Sequence, residues 1–411
     1  MTVLRHEPVV ESMSWASARS LAASSARPLR AAPVPLAEAL GCRLAEPLTA
    51  LVAVPGVDVS AMDGYAVAGA GPWRVAGRVL AGGACHGPAL EPGEAVEIAT
   101  GAPVPAGTSA VLPYEQAAAR PVWADPVRVD GPEAMRAGAL WVDGPAEAGR
   151  HIRRRGEDIA EGAVVLGAGA VVTPVALGLA AALGHDELLV RPRPRVAVLV
   201  TGDEVVHEGI PAPGRVRDAI GPFLPGLVEW AGGRMAGTDR LPDGPGALRA
   251  ALAATAVVDV VVVCGASSKG PADHLRAVLG DLGADVLVDG VAVRPGHPQL
   301  LARLPGGPLV VGLPGNPFAA LAASLTLLAP ILRELAGTAA RKEMSALAGP
   351  VRTHPRNTRL VPVRRSSRGA VPVGHDRPGS LWGAALAEAL AVVPAGWSGE
   401  QVELIELPPG G

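Results

Sequence analysis

At 411 residues, 49% hydrophobic and 18% charged, the chain is globular and too long for one ordinary core. A net charge of −3 and only 3% aromatic residues exclude a broad basic face and base-stacking platforms, so nucleic acid is not an expected partner. Three widely spaced cysteines, Cys42, Cys85 and Cys264, form neither a disulfide framework nor a metal motif, which fits a reducing cytoplasm.

The N-terminal stretch Met1 to Ala23 lacks the apolar centre of a signal peptide. Residues 12–24 and 33–45 read as short helices, with Ser14 and Pro35 near their starts. Asp63-Gly64 is a turn signal before a strand at Tyr65, and on this stretch alone Asp63 reads as a turn residue. Residues 67–145 are short apolar runs broken by Gly and Pro, among them Val127 to Val129, and read as a small all-β unit. Inside it, Ala99 to Gly107 is a rigid loop whose Thr100 hydroxyl either contacts a ligand or satisfies the turn. In His151-Ile-Arg-Arg-Arg-Gly-Glu-Asp-Ile159 three arginines precede two acids; a solvated face and an anion site are both open. Residues 174–183 read as an Ala/Leu helix that stops at Gly184.

An α/β pattern begins at Arg195. Val196 to Val200 lacks alternation, as a strand buried on both faces does. Thr201-Gly202 turns the backbone, and Asp203 and Glu204 follow where open α/β sheets bind ligands. Asp203 is assigned to capping a short helix, and Glu204 is the functional candidate. A Gly/Pro loop leads to Asp218, a helix covers Phe223 to Trp230, and Asp243 lies in the loop before a helix over Pro245 to Thr255. The run from Ala256 to Cys264 is interrupted by Asp259 and is too short to span a bilayer; Val257 to Val263 reads as a second buried strand. The loop Gly265 to Asp273, with Ser268, Lys269 and Gly270, can aim amides at an anion, although glycine turns also occur here for structural reasons. Asp273 falls on the first turn of the next helix, where a capping role competes with a functional one. Val291-Ala-Val-Arg-Pro-Gly-His-Pro298 and Gly312-Leu-Pro-Gly-Asn-Pro317 close the unit. The second string opens a helix over Phe318 to Leu335, whose free N-terminal amides would face whatever the loop holds. Residues 350–411 carry strands near Arg359 to Val363, Leu390 to Val393 and Gln401 to Leu407, a small β domain.

Seven strings occur in a fixed order: Ser60-Ala-Met-Asp-Gly-Tyr-Ala66, Thr100-Gly-Ala-Pro-Val-Pro105, Ile152 to Ile159, Thr201-Gly-Asp-Glu204, Gly265 to Asp273, Arg294-Pro-Gly-His-Pro298 and Gly312 to Pro317. Together they resemble the molybdopterin molybdenumtransferase family, MoeA and the gephyrin E domain. The resemblance implies a multi-domain α/β plus β fold. A helical domain spans 1–45 and 146–192, an inserted β domain 46–145, an α/β domain similar to molybdopterin adenylyltransferase 193–337, and a C-terminal β domain 338–411. It implies a homodimer with a shared active site, with molybdopterin adenylyltransferase as a candidate partner; the composition and hydropathy give a cytoplasmic chain with no membrane or nucleic-acid partner. The implied reaction inserts molybdate into adenylylated molybdopterin and releases AMP, assisted by Mg2+. Glu204, Asp273 and Asp243 would hold the metal. Asp63, Thr100 and Asp158 match positions that the second subunit would supply. Asp218, Gly265, Ser268, Lys269, Gly270, Arg294, His297, Pro314, Gly315 and Asn316 would meet the substrate.

The chain departs from that pattern. Two family lysines are Arg294 and His297 here, a third falls near Gly290, and an Asp-Ser-Asn string is Asp218-Ala-Ile220. Lys269 is placed to restore one charge. A non-catalytic paralogue that binds molybdopterin or serves as a scaffold is therefore the second reading, and the adenylyltransferase step a third.

Overall fold

Valine-rich runs without polar alternation build the centre of the larger of two units. The computed structural model describes residues 12–82, 89–121, 140–255, 257–265, 274–338, 342–399 and 401–408. Ser268, Lys269, Gly270, Asp273 and the run Val127 to Val129 lie outside them. Contacts divide the chain into one unit of Met1–Val34, Gly41–Ala45 and Leu189–Gly411 and a second of Pro35–Leu40 and Glu46–Leu188.

In the larger unit a six-stranded sheet runs in the order Arg234–Leu241, Arg195–Thr201, Val260–Cys264, Leu309–Leu313, Leu300–Arg303, Asp285–Asp289. The first four strands are parallel, and the last two pairings are antiparallel. Register aligns Val200 with Cys264 and Cys264 with Leu313, so three strands end level. Strand Arg195–Thr201 has neighbours later in sequence on both sides, which puts the switch in strand order beside Thr201, the place where such sheets bind ligands. Valines 260 to 263 are fully buried, because alternate side chains enter two different cores on opposite faces.

Behind this sheet lies a 19-residue rod, Pro317–Leu335. It is α-helical over Pro317–Ala323 and Ala329–Leu335, with a π-turn at Ser324–Leu328 between. By length and hydropathy it passes for a membrane span, yet 89% of its apolar window is buried inside the fold, so it is a core helix. The N-terminal helix Trp15–Ser24, capped by Ser14, docks on the π-turn. The Trp15 indole donates to Thr326 Oγ1 at 3.1 Å, and Arg19 donates to the Leu325 carbonyl at 2.5 Å. A second sheet draws in distant pieces, in the order Met13–Ser14, Val291–Arg294, Thr358–Ser366, Ala389–Val393, Gln401–Glu406, Glu343–Ala346. Strand Val291–Arg294 thus links the α/β part directly to the C-terminal strands.

The smaller unit holds a six-stranded sheet ordered Ala118–Pro121, Leu140–Asp143, Trp73–Val79, Glu94–Ile98, Gly64–Val67, Ala110–Pro113. Tyr65 and Val67 enter one core, and Ala66 enters the other with Ile98 and Ile152.

The expected helix over 33–45 is not formed. The segment is a strand at Ala32–Pro35, a 3-10 turn at Leu36–Glu38 and a strand at Arg43–Leu44. Pro33 and Pro35 deny the region amide donors and push the residues before them to extended backbone, and Gly41 sits at φ 77°. Helices Pro174–Ala182, Leu224–Trp230 and Pro245–Ala254 stand where the periodicity placed them.

Candidate functional site

The ends of the central strands are tied together before any ligand is considered. Thr201 Oγ1 donates to the Cys264 carbonyl at 2.9 Å. The Gly265 amide donates to the Leu313 carbonyl at 3.1 Å. Gly265 sits at φ 97°, and a Cβ there would lie 2.9 Å from the Thr201 carbonyl oxygen, so only glycine fits. Burial raises the Cys264 thiol pKa, with the Asp218 charge adding to it, so this sulfur stays protonated.

Asp203 does not cap a helix. A turn follows it, and its carboxylate accepts the Asp243 amide at 3.2 Å while its own amide donates to the Asp243 carboxylate at 3.1 Å. Arg215 donates to the Asp203 carbonyl. This reciprocal clasp fixes Glu204 and Asp243 at neighbouring strand ends, both exposed. Asp218 is occupied in another way. Its Oδ1 accepts the amides of Ile220 and Gly221 at 3.0 and 2.9 Å, and Oδ2 lies 3.4 Å from His207 Nδ1. It therefore holds a turn ahead of helix Leu224–Trp230.

A cleft of about 1390 Å³ lies beside these ends within the larger unit. On one side are Arg294 to Pro298, Pro314, Asn316 and Ala319; on the other are Arg352 to Asn357, Arg359 and Asp376 to Pro378. The lining carries five arginines, 294, 352, 356, 359 and 377. Only Arg359 has an acidic partner among the described residues, Asp376. Arg359 also donates to the Arg352 carbonyl at 2.5 Å. His354 Nδ1 accepts the amides of Arg356 and Asn357 at 3.2 and 3.0 Å, so that nitrogen carries no proton. Burial first, then the charges of Arg294, Arg356 and Arg359, hold the His354 pKa below its ordinary value. His297 turns aside, its Nδ1 donating to the Val291 carbonyl at 2.8 Å.

The free amides expected at the helix start are not free. Phe318 and Ala319 donate to the Pro378 carbonyl at 2.9 and 3.3 Å. The long helix is thus capped from the C-terminal loop, and the cationic groups of this cleft are guanidinium groups. Gly315 connects the two regions, since a Cβ on it would lie 3.8 Å from Gly265 Cα.

In the smaller unit, Asp63 Oδ1 accepts the amide and hydroxyl of Thr100 at 2.7 and 3.1 Å. The three arginines are spoken for: Arg153 pairs with Asp158, Arg154 with Asp58 at 2.6 Å and Arg155 with Glu161 at 2.6 Å. The Arg155 amide and then the Arg154 side chain hold the Asp58 carboxyl below its ordinary pKa. The run is a self-neutralised clasp, which favours the solvated-face reading over an anion site.

Sequence reasoning therefore brought Glu204, Asp243, Gly265 and Gly315 to one sheet edge and Arg294, His297, Pro314 and Asn316 to the adjoining cleft. It missed Arg352, His354, Arg356, Arg359, Asp376 and Arg377. The signal was present in Arg352-Thr-His-Pro-Arg-Asn-Thr-Arg359 and His375-Asp-Arg-Pro378, two basic, proline-broken strings. Among the described residues no three His, Cys, Asp or Glu side chains gather as a metal group; Glu204 and Asp243 do offer the oxygen donors a hard cation takes.

Two family models match this architecture. The MoeA N-terminal region (domain I and II) matches residues 13–184, and a probable molybdopterin binding domain matches 197–334. A molybdopterin molybdenumtransferase of Nostoc sp. is 30% identical over 338 residues, 78% of this chain and 73% of that protein. The chain belongs to the molybdopterin molybdenumtransferase family. Molybdopterin molybdenumtransferase 2 of Mycobacterium tuberculosis is 37% identical over 255 residues, 60% of this chain. That match spans only 59% of the M. tuberculosis protein's length. Among solved structures, a molybdopterin biosynthesis MoeA protein from Pyrococcus horikoshii is 28% identical with a TM-score of 0.70, covering 97% of this chain and 100% of that one. The family's N-terminal model ends at residue 184 and the second spans 197–334, so the sheet edge at Thr201 and its glycine loops fall within the second model.

Proposed function

We propose that this chain inserts molybdate into adenylylated molybdopterin and releases AMP, completing a molybdenum cofactor. The observation that carries this reading is the arginine-lined cleft adjoining the strand ends at Thr201 and Gly265 and the helix start at Asn316. The substrate has a pyrophosphate and molybdate is an oxyanion, so both call for guanidinium donors close to a sheet edge that seats a pterin. Arg294, Arg352, Arg356 and Arg377 bind and orient the anionic groups. Gly265 and Gly315 let the substrate approach the backbone closely, and Glu204 positions water for attack on the pyrophosphate. Mg2+ belongs to the same proposal, held by Glu204 and Asp243 together with substrate oxygens, where it would neutralise charge on the pyrophosphate. A cytoplasmic homodimer, with Asp63, Thr100 and Asp158 completing the site of the other subunit, and supply of substrate by molybdopterin adenylyltransferase are parts of the proposal.

One observation favours the non-catalytic paralogue instead. The His297 imidazole is committed to the Val291 carbonyl, and no cation stands at Gly290. Incubating the protein with adenylylated molybdopterin, molybdate and Mg2+ and measuring AMP and active cofactor decides between the two. Release of both supports the enzyme; tight pterin binding with neither product supports the paralogue. Turnover only of molybdopterin plus ATP would point to the adenylyltransferase step.

A further inference from the structure

Among the described residues, the arginine-lined cleft contains a single acidic side chain, Asp376. Its position is specific. Arg294 and Arg359 are register partners on the paired parallel strands Val291–Arg294 and Thr358–Ser366, which sets two like charges side by side. Asp376 pairs with Arg359, and both side chains are largely shielded, 24% and 19% exposed. Two residues on, the Pro378 carbonyl takes the amides of Phe318 and Ala319. Segment 376–378 therefore offers a carboxylate to a guanidinium and a carbonyl to helix amides. An oxyanion entering the cleft would seek the same partners.

We propose that Asp376 is a specificity-determining residue that acts as an internal competitor for the cleft, holding Arg359 until a multivalent oxyanion displaces it. A monovalent anion gains too little from Arg359 to replace a carboxylate already in place. A dianion or a pyrophosphate engages Arg294 and Arg359 together and relieves their mutual repulsion. Filling the cleft then shifts segment 376–378. The inference rests on reading this cleft as an oxyanion site.

The test uses the full chain and two probes, inorganic pyrophosphate and molybdate, titrated calorimetrically with and without added chloride. Asp376→Asn should bind both probes about tenfold more tightly than the parent, the size of one charge-assisted contact freed from a rival, and chloride should now compete. Arg359→Gln should weaken binding and erase the effect of Asp376→Asn in the double variant. Equal or weaker binding by a folded Asp376→Asn protein would overturn the proposal, because a merely structural Asp376 predicts that result. A second readout needs no Asp376 variant. The Trp382 ring, at the start of helix Trp382–Leu386, lies edge-on at 5.2 Å to His375, the neighbour of Asp376. Saturating pyrophosphate should change the emission that is lost in Trp382→Phe, and unchanged emission on saturation would overturn the proposal too. Failure of the parent chain to bind either probe would remove the reading of the cleft and this inference with it.

Discussion

Replacing Arg294 by Ala tests the cleft most directly. Arg294 ends strand Val291–Arg294, is exposed, and has no acidic partner among the described residues. Its removal therefore breaks no ion pair of the fold, and the loss should fall on ligand binding. A charge-assisted hydrogen bond contributes about 1.5–3 kcal/mol. Solvent exposure and the neighbouring Arg359 both argue for the lower end, since a second guanidinium one strand away partly takes over the anion. A loss of about 1.5 kcal/mol weakens binding roughly tenfold. Isothermal titration of adenylylated molybdopterin at two salt concentrations measures this, with melting temperature as the control for folding. Arg294→Ala should lower affinity, flatten the salt dependence and leave the melting temperature within about 2 °C, as for a surface change worth under 0.5 kcal/mol. Arg294→Lys should recover part of the affinity as a point charge without the planar fork. An unchanged titration curve for Arg294→Ala would refute the assignment and make Arg294 a structural strand end.

Gly265→Ala should lower stability by about 1–3 kcal/mol in chemical denaturation, because it forces a side chain into left-handed backbone and against the Thr201 carbonyl; a neutral effect would show that the strand ends are not packed as described. Asp58 has its carboxyl pKa lowered by folding, so its contribution is present above the unfolded value and is lost as pH falls below about 4 through the folded value. Acid unfolding of Asp58→Asn should accordingly show a shallower pH dependence than the parent over that range, and superimposable curves would mean that the clasp contributes nothing. Mixing Asp63→Asn chains with Glu204→Gln chains should recover part of the activity if sites are completed in trans; no recovery in a mixed dimer verified by mass spectrometry would exclude sharing.

Elements governed by neighbours in sequence were legible. The buried strands announced themselves as valine runs, and Ser14 reads as a cap because its partner, the Ser17 amide at 3.1 Å, is three residues away. What depended on distant partners was not. Nothing near Phe318 says that Pro378 will take its amide, so the helix start looked like a vacant donor site. An anion site stayed open at Arg154 because its partner, Asp58, lies 96 residues away. The C-terminal arginines were overlooked for the converse reason: neither basic string names its partner, and it is the pairing of Val291–Arg294 with Thr358–Ser366 that sets Arg359 beside Arg294. Proline explains the error at 33–45, where composition suited a helix and missing amide donors forbade it.

The docking of the N-terminal helix on the π-turn has a consequence for synthesis. Trp15 finds its hydrogen-bond partner 311 residues later in the chain. At roughly 5–20 residues per second, a ribosome needs about 15–60 s to make that partner. Through that interval the first helix has its apolar stripe, Trp15, Ala18 and Ala22, without the surface that covers it. A helix made 311 residues ahead of its partner is thus secured late, and through that interval its apolar stripe is open to a nascent-chain chaperone.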